Sequence, residues 1–194
     1  LSVVTSLTRQ TARGHERTDE FVDTLLGRIH SLARATSTVI RGDDNYSGDL
    51  ATIVKLQLEP VLLTYGERID IQGPPTQIIS EAAQQISLAI HELATNAAKY
   101  GSLSIAGGSV SVRWSQLNDT LAKIEWIESG GPPVGKPQRR GFGTDLIEKI
   151  VAHELRHPVE LKFDPEGVRC TLMVPVREPS EFELRRKGPG GRRN

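Results

Sequence analysis

Four polar side chains recur along one stretch of this chain at spacings that suit them to work together. In Leu88–Gly101, reading LAIHELATNAAKYG, Glu92 and Asn96 stand four residues apart, and Lys99 and Tyr100 follow at seven and eight. On a helix these positions share a face, one or two turns apart. An acid, an amide and an ammonium in line suit a metal–phosphate group, because magnesium takes oxygen ligands, keeps several waters and needs only one or two protein groups besides the phosphates. The competing reading is a solvated polar face on a core helix, the default for amphipathic helices. Two further stretches carry unusual chemistry: Trp126-Ile127-Glu128-Ser129-Gly130-Gly131-Pro132, and Gly141-Phe142-Gly143-Thr144-Asp145-Leu146-Ile147.

Elements must hold these residues in place, and the sequence predicts them. Leu88, Leu93, Ala94, Ala97 and Ala98 favour helix without an internal Gly or Pro, so a central helix is expected from Ser80-Glu81 to Tyr100, with Gly101 as its C′ residue. Before it, Asp49 caps a helix expected to run to about Leu58 and to end at Glu59-Pro60. Tyr65–Ile71 reads as a strand closed by Gly73-Pro74-Pro75. Ser109–Leu117 alternates with Val110, Val112 and Trp114 on one face, and Leu121–Ile127 is the next strand. The Gly- and Pro-rich loop Glu128–Gly141 has the length of a functional lid. Thr144–Leu155 reads as a helix with Leu146, Ile147, Ile150, Val151 and Leu155 inward. Val159–Asp164 and Val168–Val176 form a hairpin across Pro165-Glu166-Gly167. This order predicts an α/β sandwich with helices on one face of a mixed sheet.

Residues 1–42 read differently. Phe21, Leu25, Ile29, Leu32, Thr36 and Val39 recur every three or four residues after a capping Thr18, a bundle seam. With a first helix at Leu1–Arg13, broken at Gly14 and His15, these are two short helices that bury too little area to be stable alone, so this hairpin is expected to pair with a second copy as half of a four-helix bundle. His15 and His30 are read as ordinary surface or partly packed imidazoles. Gly42–Gly48 is a polar hinge. The expected organisation is therefore a hairpin at 1–42, a domain at 48–176 and a basic flexible tail at 177–194.

With 194 residues there is chain enough for one domain and a small addition. The 24 basic and 24 acidic residues balance, so no net field favours nucleic acid. A single cysteine rules out an intrachain disulfide framework. No apolar run approaches the ~18–20 residues of a membrane span, and no leader is evident. A cytoplasmic location is expected.

His91-Glu92-Leu93-Ala94-Thr95-Asn96-Ala97-Ala98-Lys99-Tyr100-Gly101 resembles the N-box of sensor histidine kinases, in the variant with His before Glu found in the HWE subfamily. That subfamily also carries Trp-x-Glu, here Trp126-Ile127-Glu128, and Gly141–Ile147 resembles the glycine box of the nucleotide lid. The resemblance implies a helical dimerisation and phosphotransfer hairpin followed by the Bergerat-type ATP-binding fold of GHKL proteins. It implies a protein-histidine kinase that uses ATP and Mg2+, forms a homodimer and hands phosphate to a response-regulator receiver domain. The phosphoacceptor His is expected upstream of Leu1. Glu92 and Asn96 are the implied catalytic residues, and Asn96 the magnesium ligand. Asn96, Lys99, Tyr100, Glu128, Gly130, Gly141, Phe142, Gly143, Thr144, Leu146 and Thr171 are the implied nucleotide-binding residues. Glu128 accepts from the adenine amino group, and Cys170 competes with Thr171 because the register of the last strand is open by one residue. Arg139 and Arg140 either close over the triphosphate or keep the lid soluble. His91 points about 100° away from the Glu92 face, and no role follows for it. Two other classes remain: a non-catalytic docking module for a response regulator or stress-response regulator, and another GHKL ATPase or serine kinase, against which the hairpin and Trp-x-Glu argue.

Overall fold

The computed structural model describes residues 48–133 and 142–176. The expected hairpin with His15 and His30, the hinge before Gly48, Arg139 and Arg140, Gly141 and the tail lie outside the described residues. Strand β1 (Gly48–Asp49) leads into helix α1 (Leu50–Tyr65), and a 3₁₀ turn (Gly66–Arg68) leads to β2 (Ile69–Gln72). Then come β3 (Gln77–Ile78), the central helix α2 (Ser80–Lys99) and a second 3₁₀ turn (Ser102–Ser104). Strands β4 (Ser109–Asn118) and β5 (Leu121–Ser129) follow. After the loop, α3 (Phe142–Asp145), a π-helical segment (Leu146–Val151) and α4 (Ala152–Leu155) run on as one helix, before β6 (Glu160–Asp164) and β7 (Gly167–Pro175).

Five strands form one sheet in the order β2-β4-β5-β7-β6, parallel between β2 and β4 and antiparallel elsewhere, while β1 and β3 make a separate small pair. Alternation decides which face is covered. Val110, Val112 and Trp114 of β4, Ala122, Ile124 and Trp126 of β5, and Cys170, Leu172 and Val174 of β7 are buried. Their neighbours Ser109, Arg113 and Ser115 are exposed on the other face. The helices therefore cover one face only, as the alternation predicts. Helix α2 lies at the centre, with Ala82, Ala83, Ala89, Ala94 and Ala97 buried together with Ile86, Leu88, Ile90 and Leu93. Small alanines let it approach α1 closely. Glu81 in its first turn and Lys99 in its last complement the helix dipole.

Several boundaries differ from expectation, each for a physical reason. Asp49 caps α1 as expected, its Oδ2 accepting from the Thr52 N–H at 3.0 Å. The helix then continues through Pro60 to Tyr65. An interior proline costs ~3 kcal/mol, but Pro60 itself is exposed, and the turn beyond it packs Val61, Leu62 and Tyr65 against the core. The expected strand from Tyr65 gives way to the 3₁₀ turn, so β2 begins only at Ile69. Strand β5 extends two residues past Ile127, so Glu128 belongs to the sheet, paired with Val110, and not to the loop. Gly101 follows the helix end without the left-handed conformation of a C′ glycine. Its φ is −102°, and the N–H groups of Tyr100 and Gly101 both donate to the Asn96 carbonyl, at 2.8 and 2.9 Å.

Candidate functional site

The last turns of α2 bring two groups of residues together. In the first, Glu92 is 5% exposed and Asn96 is half-buried one turn on. Gly143 of α3 lies directly against both: a Cβ there would stand 2.7 Å from Glu92 Oε2 and 3.3 Å from Asn96 Nδ2. A Cβ there would press on the tips of both side chains, so the α3 backbone lies close against the acid–amide pair. Thr144 beside it is half-buried. Leu146 is fully buried in the core and presents no surface to a ligand; it packs the π segment. Lys99 is exposed, and Tyr100 is 68% exposed at the helix end. His91 is half-buried, off the Glu92–Asn96 line.

The second group is built around Glu128, the last inward-facing residue of β5, 3% exposed. Trp126 sits two residues earlier on the same face, and its indole Nε1–H donates to Glu128 Oε1 at 3.2 Å. The Ser102 backbone N–H donates to Oε2 at 2.8 Å. Each oxygen keeps a further lone pair for another donor. Burial pushes the Glu128 carboxyl above the ordinary carboxylate range, and these hydrogen bonds pull the other way without cancelling it.

Glycines let the backbone crowd this carboxylate. A Cβ on Gly101 would collide with Glu128 Oε2 and stand 2.9 Å from Ala97 Cα, so the end of α2 abuts the acid. Gly130 has a left-handed φ of +67°, and a Cβ on it would stand 3.0 Å from the Gly107 carbonyl oxygen. The strand end at Gly130 is therefore packed against the turn after α2.

The register of β7 separates the two candidates there. Cys170 pairs with Trp126 and is buried on the Glu128 face, whereas Thr171 pairs with Glu125 and Glu160 on the opposite face. The expectation for Thr171 is corrected accordingly: a one-residue step along a strand reverses the side chain. Burial pushes the Cys170 thiol up to about 12, with the Glu148 carboxylate adding to it.

Sequence reasoning missed Ser102 as a partner of Glu128, and no residue-type signal could have found it, because it acts through its backbone N–H. The Trp126–Glu128 contact was findable, since residues two apart on a strand share a face.

Among the described residues no group of three or more His, Cys, Asp and Glu side chains converges. The Glu92–Asn96 pair beneath Gly143 and the acceptor-rich carboxylate of Glu128 suit the two ends of a nucleotide. A separate cleft of about 410 Å³ on the open sheet face, lined by Arg68, Asp70, Ser109, Arg113, Ile127 and Ser129 among others, contains none of these residues. No helix among the described residues is long and apolar enough to cross a membrane.

A family model described as HWE histidine kinase matches residues 1–75. A blue-light-activated histidine kinase of Brucella anthropi is 32% identical over 180 residues, covering 91% of this chain, and its counterpart in Brucella ovis is 31% identical over the same length. The chain spans 36% of the length of these curated relatives. Among solved structures, the histidine kinase domain of the Erythrobacter litoralis EL346 blue-light activated histidine kinase superposes with a TM-score of 0.66 at 16% identity, covering 91% of this chain and 95% of that one. The mycobacterial sensor histidine kinase MprB gives 0.51 at 20% identity, covering 68% and 98%. At these identities the structural likeness speaks to the fold, which is the α/β sandwich of histidine kinase domains.

Proposed function

Because this chain belongs to the HWE histidine kinases, we propose that it binds Mg-ATP and supports phosphorylation of a histidine lying upstream of Leu1. The phosphoryl group then passes to an aspartate of a response-regulator receiver domain. The observation that carries the reading is the seat of Gly143 against Glu92 and Asn96, which joins the two motifs that a triphosphate needs on either side of it. Bound Mg-ATP supplies the phosphoryl group and the cation that offsets its charge.

The chain's own residues divide the work. Glu128 accepts a hydrogen bond from the adenine amino group; a hydrogen bond to a charged group nets ~1.5–3 kcal/mol, about tenfold to a hundredfold in affinity. Asn96 offers its amide oxygen to the cation, and Lys99 a point charge to phosphate. Glu92 would orient the incoming imidazole or a water beside the cation. Gly141, Phe142, Gly143 and Thr144 would hold the phosphates, since free backbone N–H groups at the start of a helix suit anions, and Tyr100 would border the site. Leu146 and Thr171 are left out of the ligand set, on their burial and facing. As the resemblance implies, we assign residues 1–42 to dimerisation and phosphotransfer in a homodimer, 48–176 to ATP binding and 177–194 to a basic tail. A cytoplasmic location fits a phosphotransfer partner of this kind.

Calorimetry with a non-hydrolysable ATP analogue, with and without magnesium, tests this on the parent chain and on Asn96→Asp and Glu128→Ala. Magnesium-dependent micromolar binding is expected in the parent, weakened about tenfold to a hundredfold in Glu128→Ala and with a changed magnesium dependence in Asn96→Asp, where a carboxylate replaces the amide oxygen. A folded parent that binds no nucleotide sinks the reading and leaves a docking module in its place.

A further inference from the structure

The 3₁₀ turn between α1 and β2 delivers one guanidinium to the backbone that follows α2. Arg68 Nε donates to the Gly108 carbonyl at 2.6 Å, and one terminal nitrogen donates to the carbonyls of Ser102 at 3.0 Å and Ile105 at 2.6 Å. The guanidinium carbon also lies 5.3 Å from the centroid of the Tyr65 ring, within cation–π range. A single side chain thus gathers three carbonyls from residues 34 to 40 positions further along the chain.

The gathered segment is anchored in the core by the buried Leu103 but is otherwise short of regular structure. It carries Gly107 at a φ of +87° and Gly108, and its regular structure is the single turn Ser102–Ser104. Within that turn the Ser104 N–H donates to the Gly101 carbonyl at 3.1 Å. Glycine-rich backbone has many conformations to lose on folding. Ser102 is nevertheless held on both sides, its carbonyl by Arg68 and its N–H by Glu128 Oε2. A Cβ on Gly108 would collide with the Ser102 carbonyl, and one on Gly131 would stand 2.7 Å from Ser102 Cα, so the segment is packed around this residue.

We propose that Arg68 is a positioning residue for the base end of the site: by clamping Ser102, Ile105 and Gly108 it fixes the Ser102 amide and so the orientation of the Glu128 carboxylate. It acts through the backbone and reaches no ligand atom. The fork geometry is essential, because a lysine has one nitrogen on a flexible stem and cannot present Nε and Nη donors together. This inference rests on the nucleotide reading of Glu128.

The test compares Mg-ADP with Mg-purine riboside diphosphate, which lacks the 6-amino group, by calorimetry on the 194-residue chain. The parent is expected to favour ADP by about tenfold or more. Arg68→Lys and Arg68→Gln are expected to bring that preference below about threefold, with affinity for the purine riboside compound within about twofold of the parent. The Trp126 indole N–H resonance should shift in both variants, because its acceptor has moved. Folded variants that keep the full preference for ADP overturn the inference, as does an Arg68→Lys protein that matches the parent. If the parent binds neither nucleotide, the nucleotide reading fails separately, and the Trp126 resonance alone decides: unchanged in the variants, it overturns the clamp. Failure of both variants to fold assigns Arg68 to the fold at large, and also overturns the proposed role.

Discussion

An ionisable group held under the surface sets its own terms with pH. Glu128 is buried, and burial outweighs the donors Trp126 and Ser102, so its carboxyl keeps a proton at pH values where the unfolded chain has released it. The sign follows from linkage. The stabilising contribution is complete below the ordinary carboxylate range and is lost as pH rises through the raised folded value. Urea unfolding across a pH series should therefore show the parent gaining stability on acidification through that window, relative to Glu128→Gln, whose slope there is absent. Nucleotide affinity should run the opposite way, falling on acidification as the carboxylate acceptor is lost. Stability curves that stay parallel in the two proteins would remove burial as the dominant influence on this acid. Gly101 belongs to the same argument, since its missing side chain leaves room for the carboxylate and the end of α2 to meet.

At the level of elements, Pro60 shows how packing overrides a local signal. Proline removes one backbone hydrogen bond within α1, yet the turn beyond it contributes Val61, Leu62 and Tyr65 to the core. Burying a large apolar side chain is worth ~1.5–3 kcal/mol when complete, so three partial burials offset an interior proline at ~3 kcal/mol. Pro60→Ala should restore the bond while losing the ~0.4–1 kcal/mol by which proline restrains the unfolded chain. A net gain of about 2 kcal/mol, or about 4–8 °C in Tm for a chain of this size, is expected in thermal unfolding. An unchanged or lowered Tm would mean that α1 is already kinked to suit the proline. Periodicity made α2, β4 and the β6–β7 hairpin readable within a residue or two, because one face of each is buried and the pattern repeats along it. It could not reveal β1 and β3, which at two residues each have no period to read. Nor could it choose between Cys170 and Thr171, where one step in register exchanges the faces. Glu92 and Asn96 could be singled out by type and spacing, and Glu128 by the resemblance of Trp126-Ile127-Glu128 to a family motif. Ser102 and Arg68 were not, because one works through its backbone and the other through contacts more than thirty residues away.

At the scale of the whole molecule, the sheet is covered on one side by helices, and the core of the described residues runs from Leu50 to Val176. The proposed division of the chain therefore predicts that residues 48–176 alone are monomeric in sedimentation and bind nucleotide as the full chain does. The 194-residue chain should sediment as a dimer. A dimeric 48–176 fragment would transfer the self-association to the sandwich and away from the hairpin. The chain's one thiol offers a different view of the same body. Cys170 lies under the helices in register with Trp126, and its proton is held up to about 12. The thiolate is the form that reacts with alkylating reagents, so a closed molecule is almost inert to them. Alkylation of this chain thus acts as an opening clock: its rate counts how often the sandwich parts, and any ligand that holds the layers together slows it.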